Sequence, residues 1–254
     1  METEPRTHPD TFIPSVAEPL CMPAKVTEPA TDYREIDGWD GGVGWIAHPD
    51  ETMRRASHAL ETEDGVWLVD PLDAEGVDEL VSGYGEVVGV VLLSNYHTRD
   101  ADVFADRYGV SVHLPEGMRG IAEELDAPIE RVEMDGKLGG YGLIEVASRG
   151  SLWQEYALYD GETLVVSESV GTAPYFCVGD ERLGVPLIVR LTPPRGPLGG
   201  LEPGRVLSGH GAGIEEDAAE ALEDALTNSR RRFPRAVLSN GGKQIRTLTA
   251  AVRT

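Results

Sequence analysis

Six histidines and two cysteines are the side chains of this 254-residue sequence best suited to metal, nucleophilic or proton-transfer work. His8, His48 and His113 stand singly and read as surface or core filler, which is what an isolated histidine most often is. His58, in RASHALE, projects from an expected strand and reads as structural. Cys21 and Cys177 are too few for a disulfide framework. No basic residue lies near Cys177 in sequence to lower its thiol, so thiol chemistry has little support there. His97 is different because of its setting: it sits in SNYHTRD, residues 94–100, between an apolar run and a helix, where ligands collect in α/β architectures.

The elements that must position these groups follow from periodicity and punctuation. Residues 1–38 carry Pro5, Pro9, Pro14, Pro19, Pro23 and Pro29 among polar residues and read as an extended arm. From Gly41, GVGWIAH, RASHALE and GVWLVD are short apolar runs divided by HPDE and EDG, as in an antiparallel meander. DAEGVDELVSGYG has helical spacing at Val77, Leu80 and Val81, and residues 87–93 form a buried β-branched strand. ADVFADRYG places Val103, Phe104 and Tyr108 on one helical face, and GMRGIAEEL predicts a further helix. RVEM, GLIEVAS, LWQEYALY and ETLVVS, split by glycine and Asp-Gly turns, predict a second meander. Residues 171–204 carry no assignable pattern beyond PLIVRL and are expected to cap a pocket. In EEDAAEALEDALTNSRRR, Ala218, Leu222, Ala225 and Leu226 line one face, with acids first and arginines last. The expected division is a domain over 39–232 and a C-terminal strand or helix extension over 233–254.

The order of these features resembles the metallo-β-lactamase superfamily over roughly Gly42 to Arg232. WLVDP ends a strand before a helix, VVLLSNYHTRDA opens another, and ETLVVSES precedes RVLSGHGAGI and the last helix; Asp70–Pro71 and Ser208–Gly211 are the nearest matches. The resemblance implies an α/β fold class, a four-layer αββα sandwich with two sheets between helix layers.

In that family a His-X-His-X-Asp-His loop, a later His, a bridging Asp and a last His hold two zinc ions. By position, Asn95 replaces the first His, His97 is retained, Arg99 replaces the Asp and Asp100 replaces the loop's final His. Ser151 falls nearest the later His, Glu168 stands for the bridging Asp, and His210 is retained. The resemblance therefore leaves His97, Glu168 and His210 as metal ligands, with Asn95 and Asp100 as weaker oxygen donors, for one Zn, Mn or Fe ion or for none. Arg99 opposes a dication, because two like charges about 4 Å apart repel by several kcal/mol in a partly buried site. Its guanidinium is expected to pair with Glu168 or Asp100 instead.

Two function classes result. One is a single-metal hydrolase of an ester, thioester, lactone or phosphoester, with Asp100 as the base because arginine cannot serve as one. The other is a non-catalytic or weakly active relative whose eroded metal pocket holds an ion-pair network and whose partner is a small molecule. In an extreme form of the second, His97 and His210 only satisfy loop backbone groups, and Gly209 and Gly211 only supply unusual turn angles.

Charge narrows the partners. The net charge is −22, from 44 acidic against 22 basic residues, and the acids are spread along the chain. Nucleic acid is excluded as a partner, since the only dense basic cluster is Arg230–Arg232. No apolar run suits a bilayer, METEPRTHPD lacks the features of a secretory signal, and a cytoplasmic protein is expected. The arm and the tail GGKQIRTLTAAVR would serve a homo-oligomer.

An acidic shell of this density suits a salty cytosol, because molar salt cuts the screening length to roughly 3 Å. The melting temperature is accordingly expected to fall as salt drops below about 1 M. Superimposable melting curves in dilute and concentrated salt would contradict adaptation to salt.

Overall fold

The computed structural model describes residues 23–251 apart from His97 and Ser151, and of residues 240–251 the backbone only. Strands β1 (Arg34–Trp39), β2 (Gly42–Ile46), β3 (Ser57–Thr62) and β4 (Gly65–Val69) form an antiparallel meander joined by short polar turns. β5 (Val87–Val91), β6 (Val112–Pro115) and β7 (Ile129–Val132) extend the same sheet in parallel, giving the order β1-β2-β3-β4-β5-β6-β7. Parallel neighbours need crossovers. Helices α1 (Val77–Ser82) and α2 (Ala101–Tyr108) supply those into β5 and β6.

The second sheet contains β8 (Lys137–Leu138), β9 (Tyr141–Ser148), β10 (Gln154–Tyr159), β11 (Thr163–Val166) and β12 (Arg205–Ser208) in the order β12-β11-β10-β9-β8. Its only parallel pair is β11 with β12, reached through the segment that carries the short helix α3 (Arg195–Leu198). Helix α4 (Ala218–Ala251) follows.

Alternation along the second sheet produces the layers. Tyr156, Leu158, Val165 and Leu207 join the core shared with the first sheet, whereas Ala157, Leu164, Val166 and Val206 join a second core. Successive strand side chains point to opposite faces, so one sheet feeds both cores. The second core is closed by Ala218, Ala221, Leu222, Ala225 and Leu226 of α4, the face expected from spacing. Full burial of Leu222 and Leu226 is worth about 1.5–3 kcal/mol each. Val77, Val81 and Phe104 place α1 and α2 in the other core, against the first sheet. The α/β class and the two-sheet arrangement expected from the sequence are thus both found.

Four local expectations change. The sheet begins at Arg34, because β1 pairs with β2, so residues 34–38 are strand and not arm. Arg131 and Val132 of RVEM end β7, whose partner is β6, so this strand closes the first sheet instead of opening the second. The helix expected over GMRGIAEEL shrinks to a 3-10 turn at Ile121–Glu124, since Gly120 at φ 89° leaves the right-handed region. α4 runs without a break through Pro234 into the tail, so 233–251 is no separate extension. Among the described residues no helix is long and apolar enough to cross a membrane.

Residues 171–204, unassigned by pattern, are organised by a buried ion pair. Arg190 donates from Nη1 to Glu181 Oε1 at 2.8 Å and from Nη2 to Oε2 at 2.6 Å, and also to the Phe176 carbonyl. Glu181 Oε2 further accepts the Val178 N–H at 2.8 Å. Such a bidentate pair fixes both segments it joins. It holds Tyr175, Phe176, Pro186 and Ile188 against the cleft described below.

Removing one partner of a buried pair leaves an uncompensated charge, whereas half-exposed pairs contribute little. Glu181→Ala is expected to lower stability by about 3–5 kcal/mol in urea titrations at fixed salt. Asp73→Ala, which breaks the partly exposed bridge to Arg107, should cost less than about 1 kcal/mol. Equal losses in the two variants would contradict this ranking.

Candidate functional site

The C-terminal ends of the parallel strands β4, β5, β11 and β12 open on one cleft, the usual place for ligands in α/β sheets. Asp70, just past β4, ties three of these ends together. Its Oδ1 accepts the Leu93 N–H after β5 at 3.0 Å, and its Oδ2 accepts the Ser167 hydroxyl after β11 at 2.7 Å. Its carbonyl accepts the Ser57 hydroxyl of β3 at 2.9 Å, and its backbone adopts φ 46° to present both groups.

Arg99 completes the tie from above. Its Nη1 donates to the Asp70 carbonyl at 2.8 Å and to the Ala56 carbonyl, and its Nη2 donates to the Gly209 carbonyl at 3.2 Å. Ala56 precedes β3 and Gly209 follows β12, so one guanidinium bridges both sheets. Burial pulls its pKa down, while the charges of Asp70 and Glu168 pull it up. The expected pairing with Asp100 is not formed: Asp100 Oδ2 accepts the Asp73 N–H at 2.7 Å. With Glu168 the relation is Coulombic, and the hydrogen bonds go to main-chain carbonyls that the sequence reading did not consider.

Glu168 and His210 meet. Glu168 Oε2 lies 3.0 Å from His210 Nε2, and His210 Nδ1 lies 3.0 Å from both the Met53 carbonyl and the Tyr175 hydroxyl. The ring is fully buried, with Phe176 and Tyr175 centroids 5.4 and 5.8 Å away. Nε2 cannot at once donate to Glu168 and coordinate a metal, so this hydrogen bond and an ion compete for the same nitrogen. The turn that carries His210 needs its glycines for different reasons. Gly211 has φ 93°, whereas a Cβ on Gly209 would meet the Ser167 carbonyl at 2.4 Å.

The other site residues expected from the sequence fall as follows. His97 and Ser151 lie outside the described residues. Asn95 Oδ1 accepts the Gln154 N–H at 2.7 Å and its own N–H donates to the Gln154 carbonyl at 3.1 Å, so it links the loop to β10. Among the described residues, no three His, Cys, Asp or Glu side chains come together as a metal site. The described donors therefore do not close around an ion.

Sequence reasoning missed several groups. Glu155, fully buried on β10, accepts the Glu168 N–H at 2.7 Å and the Ser169 N–H at 2.8 Å, and it contacts the Ser169 hydroxyl. A register shift between Glu155 and Tyr156 turns it toward this backbone, as a bulge does. Burial pushes its pKa up to about 8 against the opposing pull of those hydrogen bonds. A carboxylate inside the apolar run LWQEYALY was the available signal. Lys25, His48 and Arg55 line the cleft as well. Burial and the Arg55 charge lower the Lys25 pKa, and burial lowers that of His48. Burial pushes the Cys177 thiol up to about 12, in line with an inert cysteine.

The cleft has a volume of about 1160 Å³; Tyr96, Trp153, Phe176 and Ile188 form its apolar side. No protein-family model and no curated protein matches the chain. Among solved structures, it is similar to the DIM-1 metallo-β-lactamase exposed to ceftazidime, with a TM-score of 0.50 at 10% identity over 80% of this chain and 100% of that one. This chain has the metallo-β-lactamase fold. ETHE1 from Myxococcus xanthus gives 0.47 at 12% identity over 87% of this chain and 90% of that one. TTHA1623 in a di-iron-bound form gives 0.44 at 20% identity, over 69% and 94%. Within the metallo-β-lactamase fold, the cleft mouth of this chain is held by Asp70, Arg99 and the Glu168–His210 contact.

Glu155 gives the site a pH signature. It keeps its proton in the fold up to about pH 8, while the unfolded chain releases it near the ordinary value of 4.5. The folded state thus binds the extra proton between those values, and stability falls as pH rises through that window before levelling off. Glu155→Gln, which reproduces the protonated form, should flatten this decline and be the more stable protein above about pH 8 by a few kcal/mol. Urea midpoints from pH 5 to 9 measure it. Parallel profiles for the two proteins would refute the assignment.

Proposed function

We propose that this chain is a non-catalytic or weakly active small-molecule-binding relative of the metallo-β-lactamases, in which a hydrogen-bonded charge network stands where the family places its metal pair. The observation that carries this reading is the Arg99 guanidinium, donating to the Ala56, Asp70 and Gly209 carbonyls at the seam of the two sheets. A fixed cation at that point supplies the positive charge that the nearby carboxylates of Asp70 and Glu168 need when taken out of water. It also repels an incoming dication.

A second reading is favoured by one contact. Glu168 and His210 lie 3.0 Å apart, close to the separation of two ligands on one ion with bonds of about 2.0–2.2 Å. In that reading His97, Glu168 and His210 would hold a single Zn, Mn or Fe ion, which would supply Lewis-acid activation of water, and Asp100 would be the base for hydrolysis of an ester, thioester, lactone or phosphoester. Asp100 lines the cleft, but one of its carboxylate oxygens already accepts from Asp73.

Elemental analysis separates the two. Protein purified at high salt and dialysed in turn against Zn, Mn and Fe is expected to retain well under one equivalent of each. Stoichiometric metal that disappears in Glu168→Ala and His210→Ala would overturn the first reading and establish the second.

A further inference from the structure

Three hydrogen-bond donors of the cleft lining have no acceptor among the described residues. Arg99 Nε and Trp153 Nε1 are buried without a partner. The third is the Lys25 ammonium, which takes part in none of the hydrogen bonds or ion pairs found among the described residues. The other cleft cations are engaged: Arg55 is held by Glu51 at 2.8 Å, and Arg107 by Asp73 at 2.6 Å and Asp78 at 3.0 Å.

Lys25 is placed there by its neighbours in the chain. The Pro23 carbonyl accepts the Thr52 N–H at 2.8 Å and the Ala24 carbonyl accepts the Met53 N–H at 3.2 Å. The Val26 N–H donates to Glu51 Oε2 at 3.1 Å, and the Val26 carbonyl accepts from Arg55 Nη2 at 2.8 Å. The backbone on both sides of Lys25 is therefore pinned to the segment that opens β3. The two acids nearest its charge, Glu51 and Asp100, are already occupied by Arg55 and by the Asp73 N–H. A chain with a net charge of −22 and only three lysines thus holds one of them, unpaired, in its cleft.

The same lining has an apolar part. Tyr96 and Ile188 expose 51% and 58% of their surface, and Tyr96 lies 6.3 Å from Trp153 between ring centroids. We propose that the cleft takes a monocarboxylate with an apolar, ring-sized body, its carboxylate held by Lys25 and its body resting on Tyr96, Trp153 and Ile188. One carboxylate brings two acceptor oxygens and a single charge, which matches one unpaired ammonium beside donors that lack acceptors. A dianion would meet Asp73, Asp100 and Glu168 in the same lining. The proposal rests on the reading of the cleft as a small-molecule site.

The test is calorimetric titration of the full chain, at one fixed salt concentration, with 4-phenylbutyrate, its neutral amide 4-phenylbutanamide and 4-phenylbutylammonium. The acid is expected to bind at least about tenfold more tightly than the amide, as a charge-assisted hydrogen bond allows, and the ammonium more weakly than either. In Lys25→Met the preference for acid over amide should drop below about threefold while amide binding persists, and Lys25→Arg should restore it. Equal binding of acid and amide, no binding of either, or a preference that survives in Lys25→Met would each overturn the proposal. Metal content measured on the same samples keeps the two questions apart. Stoichiometric metal counts against the reading of the site as metal-free, whereas the acid-to-amide ratio in chelator-treated protein decides the role of Lys25.

Discussion

A charge taken out of water persists only where polar contacts make up for most of the hydration it loses, and the mouth of this cleft is organised by that requirement. Arg99 brings a buried guanidinium to the seam between two sheets, and the carbonyls of Ala56, Asp70 and Gly209 turn toward it. Asp70 contributes twice, through its carbonyl and through a carboxylate that caps the ends of β5 and β11. Strand ends from both sheets are thereby fixed by one cation and one anion. The shape of the cleft follows from where those ends are held.

The same economy of polar contacts runs outward from this centre. Glu155 anchors the backbone that carries Glu168, and Glu168 in turn faces His210. The Arg190–Glu181 pair holds the segment that brings Tyr175 and Phe176 against the same ring. All of these groups are buried except Glu168, which is partly so. That is the arrangement under which buried polar networks stiffen a site. A strongly acidic chain thus sets guanidinium and ammonium groups among the acids of its cleft.

Having the metallo-β-lactamase fold does not transmit the chemistry of its relatives, since function resides in the side chains that a fold presents. Here the retained His210 meets Glu168, while Arg99 is occupied with main-chain carbonyls. The cleft is also walled by residues 25–30, a segment upstream of the sheets whose composition reads only as an arm. Its backbone is tied to the Glu51–Arg55 stretch, so what it contributes to the cleft is held in place.

Much of the architecture was legible in the residues alone. The β-branched run at 87–91, the alternation in GLIEVAS and ETLVVS and the apolar face of Ala218, Leu222, Ala225 and Leu226 report on burial through neighbours two to four positions away, and those neighbours are fixed by the covalent chain. Glu168 and His210 could be named from the order of motifs, and they do meet. The partners of Arg99, the cap formed by Asp70, the protonated Glu155 and the placement of Lys25 could not. Asp70 finds Ser167 across 97 positions and Arg99 finds Gly209 across 110. A buried polar group is satisfied by whichever distant backbone the packed sheets bring within 3 Å, and hydrogen bonds of that kind leave no period in the sequence.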